Sequence, residues 1–169
     1  CHSGKLLSDM DFHAMGQPQI GPGKVERFET HQRDIGRMRV TGRAEDAYAF
    51  RTPPLRNVAR TGPWGHAGAY ADLAAFLRHH ADPAAGLESY AGGAVLPALD
   101  GIADDWAVLR SDALRGEIAQ AVAGRAAVAL TEAEIAALVA FLESLTDPAS
   151  LAGRLGIPDA VPSGLPVER

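Results

Sequence analysis

The sequence predicts a mainly α fold in which helices carry long ordered loops. Two segments of the later part place apolar residues at helical spacing, each ended by an Asp-Pro stop signal. The first part, from Ser3 to about Gly68, is instead crowded with glycine, proline and polar residues, as in "GQPQIGPGK", "FRTPPLRN" and "RTGPWGHAG". Apolar residues recur through those loops (Phe12, Ile20, Phe28, Val40, Tyr48, Phe50, Leu55, Val58 and Trp64), which argues for order and packing. Ordered loops of that length are uncommon in one domain and usually wrap something or carry function.

The first helix is read in "AYADLAAFLRHHADP". Ala69, Leu73, Phe76, Leu77 and His80 recur at i, i+4, i+7, i+8 and i+11, so His80 shares the apolar face. His79, turned about 100° from it, is expected to face away from that stripe. Asp82-Pro83 stops the helix, because proline disfavours α geometry in the residue before it and has no N–H. "DDWAVLRSDALRGEIAQAVAG" reads as one or two further helices. In "LTEAEIAALVAFLESLTDP", Thr131 is an N-cap with Glu134 placed to close a capping box, and Ile135, Leu138, Leu142 and Leu145 form the stripe up to Asp147-Pro148. The tail after Pro148, with Pro158, Pro162 and Pro166, is expected to run extended along the surface.

The 169 residues suit one domain. Hydrophobic residues reach 47%, but aromatics only 6%, against 18 glycines and 11 prolines; that thin core leaves room for a cofactor's apolar volume. A net charge of −5 without a basic stripe argues against a nucleic-acid surface. No run of 18 apolar residues offers a membrane span. A chain opening on Cys1 without a signal peptide is expected to be processed or truncated.

Cys1-His2 is the only Cys-His pair. Preceded by Cys-x-x, it would complete the C-x-x-C-H site at which thiols bond a c-type haem and the histidine ligates iron. His80 is then the candidate for the opposite face, with a core histidine bonded to a backbone carbonyl as the alternative; Met10, Met15 and Met38 are further ligand candidates. Arg37, Arg51 and Arg56, set among glycines and prolines, are candidates for haem propionates, which need cationic donors when partly buried.

"CHSG", "DFHAMGQPQIGPG", "RDIGRMRVTG", "AFRTPPLRNVARTGPWGHAGAYADLAAFLRHH" and "LTEAEIAALVAFLESLTDP" together closely resemble the C-terminal haem domain of bacterial di-haem cytochrome c peroxidases and of the related methylamine-utilisation-type (MauG-like) enzymes. The resemblance runs in order from Cys1 to about Pro148. It implies a cytochrome c-like haem domain over residues 1–148, an extended tail over 149–169, and an N-terminal haem domain absent from this sequence. It further implies haem c as cofactor and a periplasmic location.

By this resemblance, Cys1 and His2 match the second attachment cysteine and the proximal iron ligand, the first cysteine lying three residues upstream. His80 matches the distal position, held by methionine in the peroxidases and tyrosine in the methylamine-utilisation type; here it is histidine. Thr61 and Pro63 match residues whose backbone carbonyls bind calcium between the two domains. Arg37 and Arg56 fall in blocks close to the haem, and His66 matches a recurrent histidine with a structural or inter-haem role.

The function so implied is electron transfer. Electrons from a small cytochrome or cupredoxin enter through this haem and pass to a peroxidatic haem that reduces hydrogen peroxide to water, so that the parent is a peroxidase-like oxidoreductase and this piece is catalytically incomplete. A di-haem oxidase of a protein or small substrate is the alternative on the same fold, disfavoured by histidine in place of tyrosine at position 80. A non-catalytic electron carrier is the third reading. The oligomeric state, a homodimer included, stays open.

Overall fold

A short antiparallel pairing ties the glycine- and proline-rich half of the chain together. The computed structural model describes residues 1–23, 25–92, 101, 104–152 and 160–165. Strand β1 (Phe12–Ala14) pairs with β2 (Ala49–Arg51), His13 lying opposite Phe50. Between them Gly36 adopts φ +63°, and a Cβ there would stand 2.5 Å from the Ala49 carbonyl oxygen, so the loop closes on the strand only with glycine. A one-turn helix, α1 (Met38–Thr41), follows and ends at left-handed Gly42. The rest of this half is loop with 3-10 turns at Ala44–Asp46, Val58–Arg60 and His66–Gly68. Its apolar residues are used unequally. Ile20 and Tyr48 are buried, whereas Phe28 and Val40 are 91% and 89% exposed and do not act as the packing anchors expected of them.

The helical half begins with α2 (Leu73–Ala81), where the Asp72 carboxylate accepts the Ala75 N–H. The helix stops where Asp82-Pro83 predicts, but the same dipeptide opens α3 (Pro83–Glu88). The Asp82 side chain caps its N-terminus and Pro83 fills the first turn, where no N–H is needed. The next segment forms two helices, α4 (Ala107–Arg110) and α5 (Asp112–Ala121), joined at Ser111, which caps α5. Helix α6 (Glu132–Ser144) has the full capping box between Thr131 and Glu134. Of its stripe, Ile135 and Leu142 are buried and Leu138 is partly exposed.

Only residues 149–152 and 160–165 of the tail are among the described residues. Asp147-Pro148 serves as a start signal again, capping the one-turn helix α7 (Pro148–Leu151), and Pro162 lies in a turn closed by Gly164 N–H to Val161 C=O. Pro158 and Pro166 lie outside the described residues. The architecture is thus mainly α, with long ordered loops.

Two small apolar clusters hold loops to helices. Tyr48 packs with Leu87, Val108 and Ile118, and Ile20 packs with Ala69 and Tyr70. Ile118, fully buried, contributes roughly 1.5–3 kcal/mol by leaving water. Helix α2 packs against α3 and α6, and α6 also meets the 58–60 turn. Among the described residues, no helix is long and apolar enough to cross a membrane.

Candidate functional site

His2 sits in a tight N-terminal turn closed by Leu7 N–H to Gly4 C=O, Ser8 N–H to Ser3 C=O and Asp9 N–H to Cys1 C=O. Its Nδ1 lies 2.9 Å from the Leu7 carbonyl oxygen. A carbonyl only accepts, so Nδ1 carries a proton, and in the neutral ring Nε2 is the nitrogen with the lone pair. His80 repeats the arrangement at the end of α2: Nδ1–H donates to the Phe76 carbonyl at 3.2 Å, and the Phe76 ring stands edge-on at 4.4 Å between centroids. Neither Nε2 has a hydrogen-bond partner among the described residues.

Burial lowers the pKa of His80 to about 4, against a small opposing effect of the Phe76 bond; nearby His79, His2 and Arg125 push it further down. His80 is therefore neutral at pH 7, as an iron or other metal ligand must be. The same interaction places His2 and His80, 78 positions apart in the chain, within electrostatic reach of each other. A backbone carbonyl that fixes Nδ1–H and leaves Nε2 free is the usual support of a ligating imidazole.

His79 does not face away from the packed side of α2, as its position beside the stripe predicts; it is 1% exposed. Both of its ring nitrogens are engaged. Nε2–H donates to the Met15 carbonyl at 2.7 Å, so Nδ1 is the acceptor and takes the Tyr70 O–H at 2.9 Å. The reason lies outside the helix: Asp82-Pro83 turns α3 back so that Gly86 backs onto the His79 ring, and the loop at Met15 covers it. Burial holds His79 below the usual imidazole range. With both nitrogens bonded, His79 has no ring nitrogen left for a metal, while His80 keeps a free donor atom.

The other candidates are placed as follows. Cys1 is exposed and carries a free thiol; its Sγ, an Asp9 oxygen and a His13 nitrogen lie within 4.8 Å of one another, with His13 Nε2 2.8 Å from Asp9. The His13 bond holds the Asp9 carboxyl well below the ordinary carboxylate range. Arg37 lies over the Phe12 ring and reaches Asp11 at 3.4 Å and Asp46 at 3.5 Å. Arg56 is largely exposed and touches Asp147 and Ser150, each at 3.4 Å. Arg51 points to the Met10 sulfur at 3.4 Å. Thr61 and Pro63 lie in an exposed loop, the Thr61 hydroxyl bonded to the Val58 carbonyl. His66 stacks on Phe50 with centroids 4.1 Å apart and approaches Asp34 at 3.4 Å; burial lowers its pKa and Asp34 opposes that.

The sequence is similar, over part of its length, to cytochrome c peroxidases. It is 34% identical over 73 residues to the cytochrome c551 peroxidase of Nitrosomonas europaea, covering 43% of this chain and 20% of that protein. It is 37% identical over 68 residues to the cytochrome c551 peroxidase of Pseudomonas aeruginosa, covering 40% and 18%. With the cytochrome c peroxidase of Escherichia coli the identity is 36% over 69 residues, covering 40% and 14%. The chain thus spans about a fifth or less of the length of these curated relatives. No family model matches it, and no solved structure does.

The residue that sequence reasoning missed is Tyr70, which stands just before α2 and meets His79 nine positions on. Helical spacing does not register such a contact, because Tyr70 lies outside the helix.

Proposed function

We propose that residues 1–148 form a cytochrome c-like electron-transfer domain of a di-haem peroxidase-like enzyme, with 149–169 as its tail. The observation that carries this reading is the matched state of His2 and His80: each gives its Nδ1 proton to a backbone carbonyl and keeps Nε2 free. With that donor set His2 and His80 would hold a haem iron. The small core and the exposed Leu6 and Met10, close to His2 in the chain, suit a bulky apolar group. Similarity to cytochrome c peroxidases supports the same assignment.

In this reading Cys1 bonds haem c through a thioether, which takes the thiol out of its cluster with Asp9 and His13. His2 is the proximal ligand and His80 the distal one. The haem supplies one-electron redox chemistry when bound. Imidazole in place of a methionine thioether stabilises the ferric state and lowers the potential. Arg37 and Arg56 hold the propionates; their contacts to carboxylates, at 3.4–3.5 Å, are long enough to be shared with a new anion. The Thr61 and Pro63 carbonyls, in their exposed loop, contribute two oxygen ligands to a calcium ion completed by another domain. Electrons would come from a small periplasmic cytochrome or cupredoxin and leave towards a second haem in that domain, which would reduce hydrogen peroxide.

The test is a haem count and a turnover assay on the whole gene product. A pyridine haemochrome titration giving two haems per chain, with peroxide-dependent oxidation of a reduced small cytochrome, is the expected result. One haem per chain, or no oxidation by peroxide, would overturn the enzymatic reading and leave a carrier.

A further inference from the structure

A buried tyrosine–histidine pair lies beside His80 and is not used in its proposed ligation. The Tyr70 hydroxyl donates to His79 Nδ1 at 2.9 Å, and His79 is held from the other side by the Met15 carbonyl at 2.7 Å. The two rings are 5.3 Å apart between centroids. From Tyr70 a short series of rings leads to His80, with Tyr70 to Phe76 at 5.4 Å and Phe76 to His80 at 4.4 Å. In the other direction Tyr70 meets Tyr90 edge-on at 5.3 Å. Tyr90 is half-buried and, with Tyr70, His79 and Arg78, lines an open cleft of about 530 Å³ between α2 and α3.

The two tyrosines differ in the partner of the hydroxyl. Tyr90 donates to the Ala69 carbonyl at 2.5 Å, and a carbonyl cannot take up the proton. Tyr70 donates to an unprotonated imidazole nitrogen, which can. A phenol in a dry interior gives up an electron far more readily when its proton has such a base within hydrogen-bond reach, because no phenol cation has to be left in low dielectric.

We propose that Tyr70 is a redox-active tyrosine, relaying single electrons between the cleft and the iron held by His80. The relay rests on the haem reading above. In the step, Tyr70 would give one electron, by way of the iron held by His80, to the peroxide-oxidised haem of the second domain, and its O–H bond would break as the proton crosses to His79 Nδ1. A neutral tyrosyl radical and an imidazolium result. A one-electron donor then returns the electron by way of Tyr90, and the proton moves back along the same bond.

The experiment is freeze-quench electron paramagnetic resonance on the whole two-haem gene product mixed with hydrogen peroxide in the absence of donor, after its ferric spectrum has been recorded. The expected result is a tyrosyl radical signal that narrows with ring-deuterated tyrosine, persists in Tyr90→Phe and is lost in Tyr70→Phe. His79→Gln should shift the high-field component of the signal, since it replaces the group bonded to the radical oxygen. A normal low-spin ferric spectrum with no tyrosyl radical in the wild type, or with an identical radical in wild type and Tyr70→Phe, would overturn the relay alone. Failure to bind haem would overturn the relay together with the haem reading.

Discussion

Phe76 holds His80 twice: its carbonyl takes the His80 Nδ1 proton at 3.2 Å, and its ring stands edge-on against the imidazole at 4.4 Å. The backbone half of that grip survives any substitution and the ring half does not. Phe76→Ala should therefore keep His80 in the right tautomer but free it to tilt. The ferric haem-loaded variant is expected to gain partial high-spin character. Thermal or urea unfolding should show a loss of about 2 kcal/mol, below the roughly 3–5 kcal/mol of a fully buried phenylalanine because this one is half-buried.

Gly86 is a tight spot behind His79. A methyl there would stand 2.4 Å from His79 Nδ1, the atom that accepts the Tyr70 hydroxyl. Gly86→Ala should cost about 1–3 kcal/mol by overpacking, read as a drop in the urea midpoint. Gly116, in α5, has nothing within 4 Å of an added Cβ. Gly116→Ala is expected to stabilise the protein by about 0.5–1 kcal/mol, so the two changes should have opposite signs.

The capping box of α6 gives a third test. Thr131 Oγ1 takes the Glu134 N–H, and the Glu134 carboxylate takes the Thr131 N–H at 2.8 Å. Thr131→Ala should cost about 1 kcal/mol, measured by denaturant unfolding, since it strands a donor at the start of the longest described helix.

How far these elements could be read in advance depended on where their causes lie. The ends of α2 and α6 are set by neighbours in sequence, Asp82-Pro83, Thr131 and Glu134, and the chain shows them directly. The inward turn of His79 is set by Gly86 and Met15, which helical spacing along α2 cannot see. Pro83 and Pro148 are legible as stops, but with an aspartate before each they also start helices, because the aspartate carboxylate caps the new N-terminus and proline fits its first turn. Phe28 and Val40 looked like anchors because apolar type does not by itself say which loop residues find a partner. At the site, Cys1-His2 and His80 were marked by motif and stripe, whereas Tyr70 belongs to no pattern.

Acid should weaken the haem-free protein before its carboxylates titrate. His66, His79 and His80 all lie below the ordinary value of 6.5, chiefly through burial, His80 at about 4. Between those values the unfolded chain binds protons that the folded chain refuses. Stability therefore rises with pH in this window and is lost as pH falls from about 6.5 towards 4. Urea midpoints of the haem-free chain should drop between pH 7 and pH 5. Constant midpoints over that interval would contradict the buried, neutral state of these rings.

The most direct measurement is the ferric absorption and electron paramagnetic resonance spectrum of the haem-loaded protein beside His80→Ala. Two imidazole ligands, from His2 and His80, predict a six-coordinate low-spin wild type and a variant converted to high-spin. A low-spin spectrum unchanged by His80→Ala would contradict the assignment of His80 as the distal ligand.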